Sequence, residues 1–288
     1  MTDRQSMVMA SEGGKLYHYV PAKDSLVLLF KDDRNEPMMG LEREGEFLFL
    51  AGKSRIYKFK EGKIIKTFSN EDKPDPEFHQ MTIINNFLYV TVTRRNEIWK
   101  FDLGLNQYEN YKIDPPDRHS PVIRNRNYNH LNNIFYHNKR FYICLNMLNK
   151  PNGVSGVCVL DDNMKEVDRF EYGWETHNFI ILDNKKYVLT ASASVLKIVG
   201  HVHKGGLLVD GKLVFEYNPD LYYCKGLSID ENYIYIVGQT IKRREDRKFA
   251  DGILFVLDRD FKPVFERIFI LSGGFGGCLL DSGELTRG

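Results

Sequence analysis

The chain has 288 residues, and 40 Lys and Arg stand against 39 Asp and Glu, so its formal net charge is +1. This balance argues against a nucleic-acid binder, which needs a clear basic excess. No apolar run approaches the roughly 20 residues of a membrane helix, and no apolar segment follows residues 1–5. The four cysteines form no CxxC pair, which favours a reducing compartment. We therefore expect a cytoplasmic protein that binds neither nucleic acid nor membranes.

Short runs of alternating apolar and aromatic residues recur along the chain, and they end in Gly, Asn or Asp. β-Branched and aromatic residues dominate these runs, as is typical of strands, and no helical periodicity of useful length occurs. The first predicted strands are residues 7–9, 16–19, 26–30, 47–50 and 55–59. A complete group of four follows at 79–84, 87–93, 97–102 and 108–113. Later strands include 156–161, 187–190, 233–237, 253–258 and 278–280.

The strands repeat in groups of four with a period of about 47 residues, which is typical of a β-propeller. The aligned starts of the first strands are Met39, His79, His130, His177, Lys225 and Gly276. Three strands precede Met39 and one follows Gly276, and together they complete a sixth blade. A five-bladed ring would leave these four strands unexplained. The sequence therefore predicts one all-β domain over residues 1–288, a six-bladed propeller closed by three N-terminal strands and one C-terminal strand.

The loops predict which face of the propeller is functional. In a propeller the first strand of each blade lines the central channel and starts at one face, here called the top. The turns on the bottom face are short, for example residues 85–86, 183–185 and 210–212. The long segments 114–129, 146–155, 192–204 and 239–251 all fall on the top face. Because long loops are uncommon unless they bind or cover something, we expect the functional site on the top face.

Three of the aligned positions are histidines in consecutive blades: His79, His130 and His177. Three imidazoles at a channel mouth can bind zinc or another divalent transition metal and leave positions open for substrate. The same imidazoles can instead act as acid and base near neutral pH, or stabilise their own blades by hydrogen bonds. Glu175 precedes His177 by two residues and offers a carboxylate that can orient the ring.

Further candidates surround this position. Lys225 can serve as a base or form an imine, Cys224 can be a ligand or nucleophile, and Glu42 can supply a carboxylate. The polar segment before the third blade predicts substrate contacts from Arg124, Arg126, Tyr128 and Asn129. The basic stretch 242–248 can attract an anion, although most such runs are simply solvated. His201 and His203 belong to a loop that we interpret as solvent-exposed.

The four-strand repeat and its three-plus-one closure resemble the six-bladed propellers of the strictosidine-synthase and gluconolactonase (senescence-marker) group. The resemblance covers the whole chain but concerns architecture, so it implies small-molecule chemistry at the top of the channel and no particular reaction. The resemblance to the gluconolactonase group implies a metal site with carboxylate and Asn ligands. This chain carries histidines where such ligands are expected. The aligned histidines are also similar to the four iron-binding histidines of carotenoid-cleaving propellers, whose blade number and length differ.

The prediction is therefore an enzyme that acts on a small organic molecule with a His-bound divalent metal. A lyase, cyclase, hydrolase or oxygenase reaction is compatible with this site. Two alternatives stay open. One is a metal-free acid–base enzyme that uses the same histidines, and the other is a non-catalytic propeller that binds a ligand or a protein.

Overall fold

The computed structural model describes residues 4–71, 75–114, 129–146, 154–190, 205–218, 220–241, 246 and 249–281. Within these residues the chain forms six four-stranded antiparallel sheets, which confirms the predicted six-bladed β-propeller fold. Three-residue 3₁₀ turns occur at Pro21–Lys23 and Thr93–Arg95. No helix among the described residues is long and apolar enough to cross a membrane. Blades are numbered 1 to 6 by the chain order of their first strands.

The contacts divide the chain into two compact units. Unit 1 comprises residues 1–69 and 221–288 and contains blades 1, 5 and 6. Blade 1 consists of β4 (Met38–Glu44), β5 (Phe47–Gly52), β6 (Arg55–Lys60) and β7 (Lys63–Ser69). Blade 5 consists of β20 (Tyr222–Ile229), β21 (Tyr233–Thr240), β22 (Gly252–Asp258) and β23 (Pro263–Phe269). Blade 6 has the order β24 (Phe275–Leu280), β1 (Met7–Ser11), β2 (Lys15–Val20) and β3 (Ser25–Lys31).

Unit 2 comprises residues 70–220 and contains blades 2, 3 and 4. Blade 2 consists of β8 (Phe78–Ile84), β9 (Phe87–Val92), β10 (Glu97–Asp102) and β11 (Gln107–Lys112). Blade 3 consists of β12 (Leu131–His137), β13 (Arg140–Leu145), β14 (Val154–Asp161) and β15 (Glu166–Trp174). Blade 4 consists of β16 (Thr176–Leu182), β17 (Lys185–Thr190), β18 (Gly206–Val209) and β19 (Lys212–Glu216). The prediction of a single domain is not tested by this division and stays a prediction.

The hydrophobic core lies between neighbouring blades inside each unit. In unit 1, Leu16 of blade 6 packs with Leu50 and Tyr57 of blade 1. In unit 2, Phe179 of blade 4 packs in one cluster with Val157 of blade 3. Strands with both faces buried therefore carry nearly continuous apolar residues, which explains why their sequence runs are so apolar.

Tight turns join the strands at the end of each sheet where its first strand finishes, here called the bottom end. Asn85 and Asn86 both have positive φ, 50° and 63°, as do Asp183 and Asn184, at 50° and 58°. Two consecutive residues with positive φ are the mark of a type I′ turn, which Asn and Asp tolerate better than other side chains. The short turns predicted from the sequence are therefore confirmed at these places.

The C-terminal strand closes blade 6, as predicted. β24 pairs antiparallel with β1, so strands from both ends of the described chain share one sheet. Directly after β24, the buried carboxylate of Asp281 contacts two side chains, with Oδ2 at 2.9 Å from Nε2 of His18 and Oδ1 at 3.0 Å from a terminal guanidinium nitrogen of Arg43. His18 belongs to β2 and Arg43 to β4, so this carboxylate connects the closing strand to blades 6 and 1.

Every first strand contains a one-residue β-bulge near its start, at the top end of its sheet. In β12, for example, Leu131 pairs with Leu145 and Asn133 pairs with Cys144, so Asn132 is left between them. A bulge re-aims the extra side chain and is over-represented beside functional sites. The bulge residues in blades 1 to 6 are Met39, His79, Asn132, His177, Lys225 and Gly276.

We expect Asp281→Asn to lower the free energy of unfolding by about 3–5 kcal/mol, because it removes a fully buried carboxylate and leaves the largely buried guanidinium of Arg43 without its charged partner. Urea unfolding at neutral pH measures this change. The matched control is Glu46→Gln, which removes the exposed Lys60–Glu46 pair and should change the unfolding free energy by less than about 1 kcal/mol. Equal losses in the two variants would contradict a closing role for Asp281.

Candidate functional site

The bulges bring three polar side chains to equivalent places on neighbouring strands of unit 2. β12 contacts β8 on one side and β16 on the other. His79, Asn132 and His177 therefore start three adjacent first strands, and each is at most 5% exposed. Buried imidazole and amide groups at one end of adjacent strands are the arrangement that a polar site requires.

The structure corrects the sequence alignment in the third blade. The bulge residue there is Asn132, and His130 lies two residues earlier, before β12 begins. His130 has a positive φ of +50°, and so do the residues two places before the bulges of blades 2 and 4, Glu77 with +52° and Glu175 with +43°. His130 is thus the counterpart of these glutamates rather than of His79 and His177. The alignment was wrong at this position because it matched residue type instead of strand register.

A pattern in the sequence could have found Asn132. The residue before each bulge pairs with the second strand of the blade. The residue after the bulge is glycine or carries an amide side chain, and the next residue packs in the core. The four-residue segments are Phe78-His79-Gln80-Met81, Leu131-Asn132-Asn133-Ile134 and Thr176-His177-Asn178-Phe179. Matching these segments, rather than the histidines, places Asn132 with His79 and His177.

His130 nevertheless remains beside His79. The centroids of the two rings are 6.2 Å apart, with an angle of 67° between the ring planes. A hydrogen bond holds the backbone of His130, because its carbonyl accepts from the N–H of Asn146 at 3.4 Å. His79 is buried and His130 is partly buried, so the pair joins an interior imidazole to one that solvent reaches.

Asn132 orients His177. Its Nδ2 donates to the backbone carbonyl of Thr176 at 2.7 Å and lies 3.4 Å from Nδ1 of His177. A carbonyl can only accept, so the first bond fixes which end of the amide is nitrogen. In the second contact the amide can donate to Nδ1 when that ring nitrogen carries no proton.

The same geometry leaves an acceptor without a donor. Among the described residues, Oδ1 of Asn132 is buried and has no hydrogen-bond partner, and the same is true of Oδ1 of Asn178. A buried acceptor without a partner costs about 1–3 kcal/mol. Each such atom needs an explanation, and a bound water or ligand with an O–H or N–H group is one that satisfies it.

The predicted trio of metal ligands is not assembled as one group. Within the part of the chain that the structure describes, no three His, Cys, Asp or Glu side chains are arranged to hold a metal ion. Binding of a divalent metal by His79, His130 and His177 therefore stays a prediction.

Glu77 and Glu175 occupy in blades 2 and 4 the position that His130 occupies in blade 3. Glu77 accepts a hydrogen bond from Nε of Arg94 at 2.7 Å, and Arg94 also lies 3.3 Å from Asp75. Glu175 is partly buried and precedes His177 as predicted, and its orienting role stays a prediction.

In unit 1 the bulge position of blade 5 holds a buried ion pair. The Nζ of Lys225 contacts Oε1 of Glu12, and Nε2 of Gln239 donates to Oε2 of Glu12 at 3.4 Å. Lys225 also lies over the ring of Tyr223, 5.0 Å from its centroid. The carboxylate engages the ammonium group, and the predicted role of Lys225 as base or imine former is not tested. Its neighbour Cys224 is fully buried.

The residues predicted to bind substrate lie mostly outside the described residues. These are Arg124, Arg126 and Tyr128, and His201, His203 and most of the stretch 242–248 are outside them as well. Asn129 is described and fully buried. Its Nδ2 donates to the carbonyls of Ile113 and Asp114, both at 3.3 Å, and its own N–H donates to Oδ1 of Asn96 at 2.9 Å. These bonds hold the end of the segment that leads into blade 3.

Comparison with known proteins supports the fold. No established protein family and no curated protein matches the sequence. A protein of unknown function from Bacteroides caccae aligns with a TM-score of 0.67 and 12% identity, over 95% of this chain and 97% of that one. A chain of the nidogen–laminin complex aligns with a TM-score of 0.61 and 8% identity, over 96% and 99%. Virginiamycin B lyase from Staphylococcus aureus aligns with a TM-score of 0.51 and 14% identity, over 80% and 75%. At these identities the likeness shows a shared fold alone.

Glu42, on β4, is partly buried, and burial raises its pKa from 4.5 to about 7 despite a hydrogen bond from the N–H of Arg43 at 3.0 Å. Between these two values the folded protein keeps a proton that the unfolded chain has lost, so stability falls as pH rises. We expect Glu42→Gln to remove this loss. Its unfolding free energy should increase relative to wild type from pH 4.5 to pH 7, measured by urea unfolding. Glu231→Gln, at an exposed position, should show no such trend.

Proposed function

We propose that unit 2 is the active part of an enzyme that binds a small, uncharged polar organic molecule at the top end of β8, β12 and β16. The observation that carries this proposal is the buried, unpartnered Oδ1 of Asn132, held in place between two histidine-bearing strands. A ligand O–H or N–H that donates to this oxygen would satisfy it and would be fixed next to His177.

In this proposal His79 and His130 transfer protons. Imidazole changes its charge near neutral pH, so one ring can accept a proton from the substrate while the other donates one. The buried ring of His79 is suited to contact with the substrate, and the more exposed His130 is suited to exchange of protons with solvent. The chemistry is removal of a proton from the bound molecule and return of a proton to it, as elimination and cyclisation require; hydrolysis would in addition consume a water molecule, which would supply both the nucleophile and the proton taken by the base.

The catalytic proposal is tested with a panel of uncharged fragments that bear hydroxyl and amide groups. Ligand-observed NMR measures their binding, and one-dimensional NMR measures whether the protein converts them. We expect wild-type protein to bind and convert at least one fragment. His79→Gln should lower the conversion rate by about 10²- to 10⁴-fold with binding retained. Asn132→Ala should weaken binding by about tenfold or more. His137→Gln, at the bottom end of β12, is the matched control and should change neither.

Two outcomes would contradict the proposal. Fragments that bind at the top end of unit 2 and are never converted would favour the alternative of a non-catalytic ligand-binding propeller. Fragments whose binding is unchanged by Asn132→Ala would place the site elsewhere.

The predicted metal has its own test. The acid–base proposal expects fragment conversion to survive dialysis against a chelator. If instead the purified protein carries about one equivalent of iron, zinc, copper or manganese, as one site of three ligands would, the His-bound metal gains support. That metal should then be lost in His79→Ala, His130→Ala and His177→Ala and kept in His137→Ala. Elemental analysis of the five proteins decides between the two.

A further inference from the structure

A groove of about 450 Å³ opens at the bottom end of unit 2, away from the bulges. It is lined by Arg140, Tyr142, Val159, Val167, Asp168, Phe170 and Lys186. The strand register explains this lining. Val159 pairs with Tyr142 on one side and with Asp168 on the other, so these three form one row across blade 3. Arg140 and Phe170 lie two residues from members of this row and so share its face. Lys186 comes from β17 of blade 4.

The floor of the groove is apolar and firmly held. Tyr142 stacks on Phe179 with ring centroids 5.2 Å apart and an interplanar angle of 19°. Phe170 packs in the same cluster, and its ring centroid is 6.4 Å from that of Phe179. The floor is thus the open end of the core between blades 3 and 4, where the two sheets leave apolar side chains accessible. Val167, on the rim, is 46% exposed.

The rim is cationic. In the described part of the chain neither the Arg140 nor the Lys186 side chain forms an ion pair, and Nζ of Lys186 lies 5.1 Å from the centroid of the Phe170 ring. The one acid of the groove, Asp168, already accepts a hydrogen bond from the N–H of Arg169 at 2.8 Å through Oδ1. Two cations and one acid beside an aromatic floor are complementary to a molecule with an apolar ring and a negative group.

We propose that this groove binds a small organic acid, with its anionic group at Arg140 and Lys186 and its apolar ring on Phe170 and Val159. This site is separate from the proposed enzymatic site, and neither depends on the other. The volume is within the range of small-molecule sites. Because the groove is open and its charges are exposed, the dissociation constant should be on the order of 1 mM.

The test uses phenylacetate and its uncharged counterpart 2-phenylacetamide as probes, titrated into the full-length ¹⁵N-labelled protein. We expect phenylacetate to shift the amide signals of Val159, Val167 and Phe170 to saturation, and phenylacetamide to bind more weakly by about fivefold. Added salt should weaken phenylacetate alone, because it screens exposed charges.

Four variants separate charge recognition from non-specific adsorption. Arg140→Gln and Lys186→Gln should each weaken phenylacetate binding by about two- to fivefold, and Asp168→Asn should strengthen it by a similar factor. Lys185→Gln is the matched control, since Lys185 is exposed beside Lys186 but does not line the groove. The substituted residues are exposed, and unchanged signals elsewhere in the spectrum show that the fold is kept. Equal binding of acid and amide, weaker binding to Asp168→Asn, or shifts confined to other residues would overturn the proposal.

Discussion

The one-residue bulge at the start of each first strand is the constraint on which the candidate site depends. In a regular strand, consecutive side chains point to opposite faces and each is committed to the core on its side. The bulge interrupts this alternation at one residue and lets the strand resume its core pattern immediately afterwards. The side chain at the bulge is therefore released from the alternation, while its backbone is held because the residues on either side of the bulge along the strand pair with the second strand.

The two units use this position for different chemistry. In unit 2 it carries His79, Asn132 and His177, and one contact of 3.4 Å joins Nδ2 of Asn132 to Nδ1 of His177. In unit 1 it carries Met39, Lys225 and Gly276, of which Lys225 is ion-paired with Glu12. Gly276 lies so close to its neighbour that a Cβ there would come within 2.7 Å of the carbonyl of Met38. A Cβ is thus excluded at the bulge of blade 6, whereas the bulges of blades 2 to 4 carry polar side chains.

The sequence predicted the fold well because propeller strands are defined by local patterns. Alternating apolar runs and paired turn residues such as Asn85 and Asn86 mark each hairpin, and counting the strands was enough to predict that β24 completes blade 6. The site was predicted less well. Register within a strand depends on pairing with its neighbour, which the type of a single residue does not reveal, so His130 was taken for Asn132. The groove was not predicted at all, since its lining combines residues of four strands from two blades.

A comparison of the six bulge positions shows which side chains the fold accepts there. Met39 shows that an apolar side chain fits this position, and Gly276 shows that no side chain is needed. Blade 3 has the same bulge, yet it buries an amide whose Oδ1 has no partner among the described residues. Such an atom destabilises the folded state, and an apolar residue would avoid this. The amide nitrogen of Asn132 is accounted for by the fold, since it donates to the carbonyl of Thr176, and the unpartnered Oδ1 is the atom that the proposed ligand would satisfy.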